Sequence, residues 1–376
     1  MAGHSRRQKT VVFAVLALGL AAALVLYLRS EDEEMLSLQV ADSVAPSQEA
    51  PSVDRSSRRT SKPRPSQPAA QAAEDAGEAA GAPAVVIRAG WGSGSNELGR
   101  TRPSEGNPEA PMSFATDGLG RSYVLDQVNG RIVRYDKDGN PIDSFLTTQQ
   151  APQDLVISPE GNALVLDRLV DKSVAVLGPD GRLLGELPVE GRGIEEGGGV
   201  TGVFVDGTDV YVEREHGDLV RIGDTEGKVD EERPEVPGRP SRDGQSFLNA
   251  GIIDAASGRV YVNSVERPSL QHRFTRELRM GAPSPGILLL DTDLRGNIYL
   301  GVLLELGGAG PEDEPMPSIR VVCMSPTDGQ PWGSADLPVS PMPEETFRDI
   351  VVLDEGGVLF AFRSESGVAY QRYVCR

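Results

Sequence analysis

Gly120-Arg-Ser-Tyr-Val-Leu-Asp126, running on through Gln127-Val-Asn-Gly-Arg131-Ile-Val-Arg-Tyr135 to Asp136-Lys-Asp138-Gly139-Asn140, decides the fold. A turn glycine opens an alternating β-rich run, a short turn follows, a second alternating run comes next, and an Asp-Gly hairpin signal closes the phrase. Working outward, the glycine-strand phrase returns at Gly161-Asn-Ala-Leu-Val-Leu, Gly207-Thr-Asp-Val-Tyr-Val, Gly258-Arg-Val-Tyr-Val, Gly296-Asn-Ile-Tyr-Leu and Gly356-Gly-Val-Leu-Phe-Ala. Recurrence every roughly 40–50 residues, with several strands per unit, is the pattern of a β-propeller. The expected fold class is therefore all-β, a six-bladed β-propeller.

The strands of the first two units follow directly. Met112-Ser-Phe-Ala-Thr, Ser122–Asp126, Arg131–Tyr135 and Ile142–Leu146 build blade one; Leu155-Val-Ile, Ala163–Asp167, Ser173–Leu177 and Leu183–Leu187 build blade two. Blade three ends in a charged, Pro-rich stretch, Thr225–Gly244, read as a loop. Blade four takes Gly258 as its turn glycine and His272–Leu278 as a third strand. Blade five carries an insertion, Gly307–Pro317, that holds Glu312-Asp-Glu314. Blade six offers only three strands before Arg376, while Ala84-Val-Val-Ile-Arg88 is an orphan strand. The orphan is expected to complete blade six and close the ring, which removes an exposed edge.

The front of the chain has a different composition. Residues 1–10 carry Arg6, Arg7 and Lys9; residues 11–28 are apolar except for Tyr27; Glu31-Asp-Glu-Glu34 follows. The span is long enough to cross a bilayer core as a helix of about 27 Å. The positive flank places the N-terminus in the cytoplasm and the remainder outside. A cleaved signal peptide is the alternative, with Ala21-Ala22-Ala23 as its cleavage site. Residues 29–83 are rich in Ala, Pro, Ser, Glu and Gln and read as a disordered linker. That linker includes a basic cluster, Arg55–Arg64. The propeller is assigned to residues 84–376.

The chain of 376 residues has 37 basic and 56 acidic side chains, a formal charge of −19. Residues 1–83 hold 9 basic and 10 acidic residues, so the remainder has 37 − 9 = 28 against 56 − 10 = 46, a net of −18. An acidic head repels nucleic-acid phosphates and anionic lipid, and suits basic partners or plain solubility. Cys323 and Cys375 occupy matching phrases, Arg320-Val-Val-Cys-Met and Arg372-Tyr-Val-Cys-Arg. Equivalent positions on neighbouring blades stand about 10 Å apart, which is too far for a disulfide. Two free thiols are expected.

Tyr123-Val-Leu-Asp126-Gln-Val-Asn129-Gly-Arg131-Ile132-Val resembles the NHL repeat, with Gly130 in place of the family histidine. Blade two keeps Asp167 and Lys172; Glu213, Asn263, Gly301 and Ala361 stand at the Asp position afterwards. The resemblance implies an interaction platform, with Asp126 and Arg131 pairing across a turn in a structural role. A minority of such proteins are lyases or lactonase-like enzymes with a central metal.

Chemistry-bearing motifs are sparse. The histidines are His4, His216 and His272, too few and too scattered for a His-rich zinc site. No Gly-x-Ser-x-Gly elbow occurs. Asn263 and Glu213 are the residues a lactonase-like metal could recruit, and both read more simply as polar strand ends. Asp136–Asn140 looks like the start of a calcium loop but lacks its later Gly and Glu, so it reads as a turn. Gly92–Gly99 lacks the strand-to-helix context of a phosphate loop. No catalytic residue, cofactor or metal is assigned. The expectation is a membrane-anchored, extracytoplasmic (periplasmic or exterior) propeller that binds a protein or glycan. The alternative is a metal-dependent hydrolase or lyase.

Overall fold

The computed structural model describes residues 83–307 and 316–376. The expected transmembrane helix 11–28, most of the linker 29–83 and the acidic run Glu312–Glu314 lie outside the described residues. No helix among the described residues is long and apolar enough to cross a membrane.

Six sheets, antiparallel within each four-stranded blade, form a six-bladed β-propeller. The described chain enters through β1 (Ala84–Trp91) and β2 (Glu97–Leu98). Blade one is β3 (Ser113–Thr116), β4 (Ser122–Asp126), β5 (Arg131–Tyr135) and β6 (Pro141–Leu146). Blade two is β7 (Asp154–Ile157), β8 (Ala163–Asp167), β9 (Ser173–Leu177) and β10 (Leu183–Pro188). Blade three is β11 (Val200–Asp206), β12 (Asp209–Arg214), β13 (Leu219–Asp224) and β14 (Glu235–Val236). Blade four is β15 (Arg239–Pro240), β16 (Ser246–Asp254), β17 (Arg259–Glu266) and β18 (His272–Arg279). Blade five is β19 (Gly286–Thr292), β20 (Ile298–Leu306), β21 (Met316–Met324) and β22 (Pro331–Pro338). Blade six is β23 (Ile350–Val352), β24 (Val358–Ser364) and β25 (Gly367–Tyr373), and β1 is its outer strand. In that pairing Ala84 lies opposite Arg372 and Ala89 opposite Val368.

Blade four corrects the reading of the repeat. The stretch Thr225–Gly244 is not one loop, because it contains β14 and β15. The turn glycine that leads into the second strand is Gly244, whose N–H donates to the Ser241 carbonyl, as Gly161 does to Ser158 and Gly296 to Asp293. Gly258 belongs to the next hairpin, so Arg259–Glu266 is the third strand and His272–Arg279 the fourth. Both glycines have a positive φ, +72° and +63°. Each therefore satisfies the turn signal, and the stronger apolar alternation of Val260 and Val262 drew the assignment to the wrong one.

The cysteines correct a second expectation. Cys323 and Cys375 form a disulfide, with Cα atoms 6.3 Å apart. The equivalence that kept them apart fails because β25 stops at Tyr373. The tail beyond it swings to blade five, where Arg376 and Ser334 exchange two backbone hydrogen bonds of 3.2 Å. At the described ends of the blade-five insertion the pairing of β20 with β21 continues, Leu304 opposite Ser318 and Leu306 opposite Met316.

Candidate functional site

The first strands β3, β7, β11, β15, β19 and β23 surround the central channel. A cavity of about 400 Å³ opens where they turn back into the second strands. Its wall is supplied by Phe114, Phe204, Asp117, Asp206, Asp291 and Asp354, with Arg239, Arg242 and Arg348 among them. Leu119 and Leu294 stand exposed on the turns at its edge, at 73% and 57% of their full area.

The channel is crossed by an ion pair. Arg348, just ahead of β23, donates from Nε to Asp154 Oδ1 at 2.8 Å and from Nη2 to Asp154 Oδ2 at 2.6 Å. Asp154 is fully buried at the start of β7. It also accepts the Ser113 hydroxyl at 2.8 Å and the Val203 N–H at 3.0 Å. One carboxylate thus gathers blades one, two, three and six. Burial works against the Arg348 charge, but Asp154 outweighs it and raises the guanidinium pKa.

Two further arginines staple neighbouring blades. Arg239 of β15 donates to both oxygens of Glu213, at 2.7 and 3.1 Å, and to the Leu290 carbonyl at 2.7 Å. Burial pushes Glu213 upward, yet the attraction of Arg239 and the hydrogen bonds from His216, Arg239 and Thr201 prevail and lower it to about 2. Phe204 lies between the guanidinium groups of Arg239 and Arg348, 4.7 and 5.3 Å from its ring centre. Arg242 bridges Asp291 at 2.5 Å and Asp354 at 3.0 Å. Asp117 and Asp206 are paired as well, with Arg121 and Arg267, both at 2.6 Å. Every carboxylate named in the cavity wall therefore has an arginine partner.

The residues singled out from sequence do not converge. Glu213 is held by Arg239, whereas Asn263 lies on the third strand of blade four and accepts from Thr275 at 2.9 Å. His216 is exposed at the blade-three turn, 3.5 Å from Glu213. His272 is exposed on β18 beside Thr275. Among the described residues no group of three His, Cys, Asp or Glu is placed to hold a metal ion. Asp126 accepts from Arg131 at 2.8 Å, from Asn129 at 2.8 Å and from the Gly99 N–H at 2.8 Å, which locks the strand entering blade one. Asp136 accepts the N–H groups of Asp138 and Asn140, so that segment is a hairpin turn. The channel residues Asp154, Arg239, Arg242 and Arg348 were not singled out. For Asp154 the signal is a polar residue at the head of an otherwise apolar first strand, in Asp154-Leu-Val as in Ser113-Phe-Ala, whereas Arg242 and Arg348 lie outside the first strands and carry no such signal.

No protein-family model matches the chain, and no curated protein matches it. The NHL resemblance accordingly rests on the residues of blade one. Among solved structures the chain is similar to hydrazine synthase of Kuenenia stuttgartiensis, at 15% identity over 70% of this chain and 76% of that one, TM-score 0.45. It is similar to a member of the DUF4221 family from Bacteroides vulgatus, at 12% identity over 71% and 93%, TM-score 0.44. It is also similar to virginiamycin B lyase from Staphylococcus aureus, at 12% identity over 70% and 94%, TM-score 0.38. At this distance no residue and no activity passes from them to this chain.

Proposed function

We propose that the protein is a membrane-anchored, extracytoplasmic propeller whose head binds a partner protein at the channel mouth. The observation that carries this reading is the pairing of every cavity-wall carboxylate with an arginine. Paired in this way, those acids are poorly suited to general-base work or to holding a metal. They instead form a fixed array of charge beneath an edge of exposed leucines, a combination suited to docking a protein surface. The apolar segment 11–28 and its basic flank support the anchor. The disulfide supports an oxidising compartment for the head.

The test is crosslinking in cells, with a photoreactive residue at Leu119 or Leu294 of the full chain, followed by mass spectrometry. A discrete partner joined at both positions, and lost in Arg242→Ala, is the expected result. Crosslinks that are no richer at these positions than at Leu146, on the outer strand of blade one, would remove the basis of this reading.

A further inference from the structure

Blade four lacks most of its inner strand. In blades one and two the second strands, β4 and β8, are buried at every residue. β16 is buried only from Ser246 to Leu248 and becomes exposed toward Asp254. The cause is β15, which pairs only with Leu248 and Phe247. The Ser241 N–H donates to the Ser246 carbonyl at 2.8 Å, so Ser246 directs its backbone groups inward. Strand alternation turns those of Leu248, Ala250 and Ile252 the same way. On that side the N–H and C=O groups of Ala250 and Ile252 have no hydrogen-bond partner among the described residues.

The free edge faces a groove. Its opposite wall runs from Pro285 to Leu290, and the space between is about 450 Å³. Ala250, Gly251, Ile252, Ile287 and Leu288 make it apolar. Leu288 is 45% and Ile252 38% exposed. Arg239 and Glu213, paired with each other, are among its lining, and exposed carboxylates stand beyond its walls: Asp254 at the end of β16, and Glu305, whose N–H donates to the Pro283 carbonyl.

We propose that this groove takes an extended peptide segment of a partner protein, apolar at alternate positions and carrying Lys or Arg at its ends. The segment pairs with β16 at Ala250 and Ile252 and supplies the missing inner strand of blade four. An unpaired strand edge is satisfied by backbone groups at strand spacing, which a peptide offers along its length. The apolar walls take its alternate side chains. The carboxylates around the groove, on a head whose net charge is −18 (28 basic against 46 acidic residues), select cationic ends. The site rests on the free edge of β16 rather than on the channel mouth, so it stands whether or not the mouth binds a partner.

The probe is the synthetic peptide Lys-Val-Ser-Val-Ser-Val-Lys, titrated into the purified full chain and read by fluorescence anisotropy and by backbone hydrogen exchange. Exchange at residues 249–253 is expected to slow by about tenfold on saturation. Leu288→Glu is expected to weaken binding about tenfold, and Leu146→Glu to leave it unchanged. The same peptide with glutamate at both ends is expected to bind more weakly. Ile252→Glu serves as the second variant if Leu288→Glu lowers the melting temperature. Absence of binding, protection at residues 114–118 instead of 249–253, or indifference to both groove variants overturns the proposal. Loss of the crosslinked partner at Leu119 and Leu294, with peptide binding intact, would overturn only the reading of the mouth.

Discussion

Glu213 shows how one side chain holds two blades and sets an acid limit. It sits on β12 with its side chain 3% exposed, and its partner Arg239 sits on β15. Its pKa falls from 4.5 to about 2 in the folded chain. A carboxylate depressed by folding contributes stability that is present above its unfolded value. That contribution is lost as the pH falls through the folded value, so the window runs from 4.5 down to about 2. Glu213→Gln leaves Arg239 without its counter-charge and is expected to destabilise at neutral pH by about 3–5 kcal/mol. Denaturant titrations across the pH series should show the gap between variant and native chain closing as Glu213 protonates. A gap that stays constant from neutral pH through that window excludes the assignment. Arg348→Ala is expected to cost a similar amount, because it strands the buried Asp154. The double variant Arg348→Met, Asp154→Leu should recover much of that loss, and a double variant that is no better than the single one contradicts the argument.

At the scale of elements, the ring closes through two devices that meet at β25. β1 covers its outer edge, burying Ile87 and Ala89. Beyond its end, the disulfide fastens the tail to blade five across a separation of 52 residues. Chain entropy values such a crosslink at about 4 kcal/mol. Cys375→Ser should therefore lower stability by roughly 2–4 kcal/mol, and deletion of residues 84–89 should lower the melting temperature by roughly 10 °C or more. A deletion that melts with the full chain removes β1 from the closure. Because either device holds β25 alone, losing both should cost more than the sum of the single losses. The sequence made the blade count legible through turn glycines and alternation, which are local and recur. It misled wherever a local signal was duplicated or where the chain left its blade. Gly258 satisfies the turn pattern as well as Gly244, and nothing near Cys375 records that its backbone will pair with Ser334. The Asp154–Arg348 pair was illegible for a related reason, since only closure of the ring brings positions that far apart in sequence within hydrogen-bond reach.

Across the whole molecule, five seams between blades are filled by apolar clusters. One joins blades one and two, with Leu125, Ile132 and Leu155; another joins two and three, with Leu166, Val176 and Val212. Blades four and five meet at Val262, Leu290 and Leu300, five and six at Tyr299, Val321 and Phe360, and six and one at Ile87, Phe114 and Tyr370. Among the described residues no cluster of that extent joins blades three and four. Contacts there include Glu213 with Arg239, Asp206 with Arg267 at 2.6 Å, and the guanidinium of Arg239 over Phe204 at 4.7 Å. Ion pairs that are partly hydrated contribute less than a buried apolar layer of similar area. This seam also borders the short β15, so the least covered blade lies at the most polar joint. The ring should therefore open first between blades three and four. Native-state hydrogen exchange in increasing denaturant is the measurement. Amides of β12 and β16 should exchange through an opening of lower free energy and smaller denaturant slope than those of β8 and β24. Glu213→Gln should lower that local opening energy by more than it lowers the energy of exchange in β8. If β12 and β16 exchange only through the global transition, in step with β8 and β24, the seam is no weaker than its apolar counterparts and the polar joint does not set where the propeller parts.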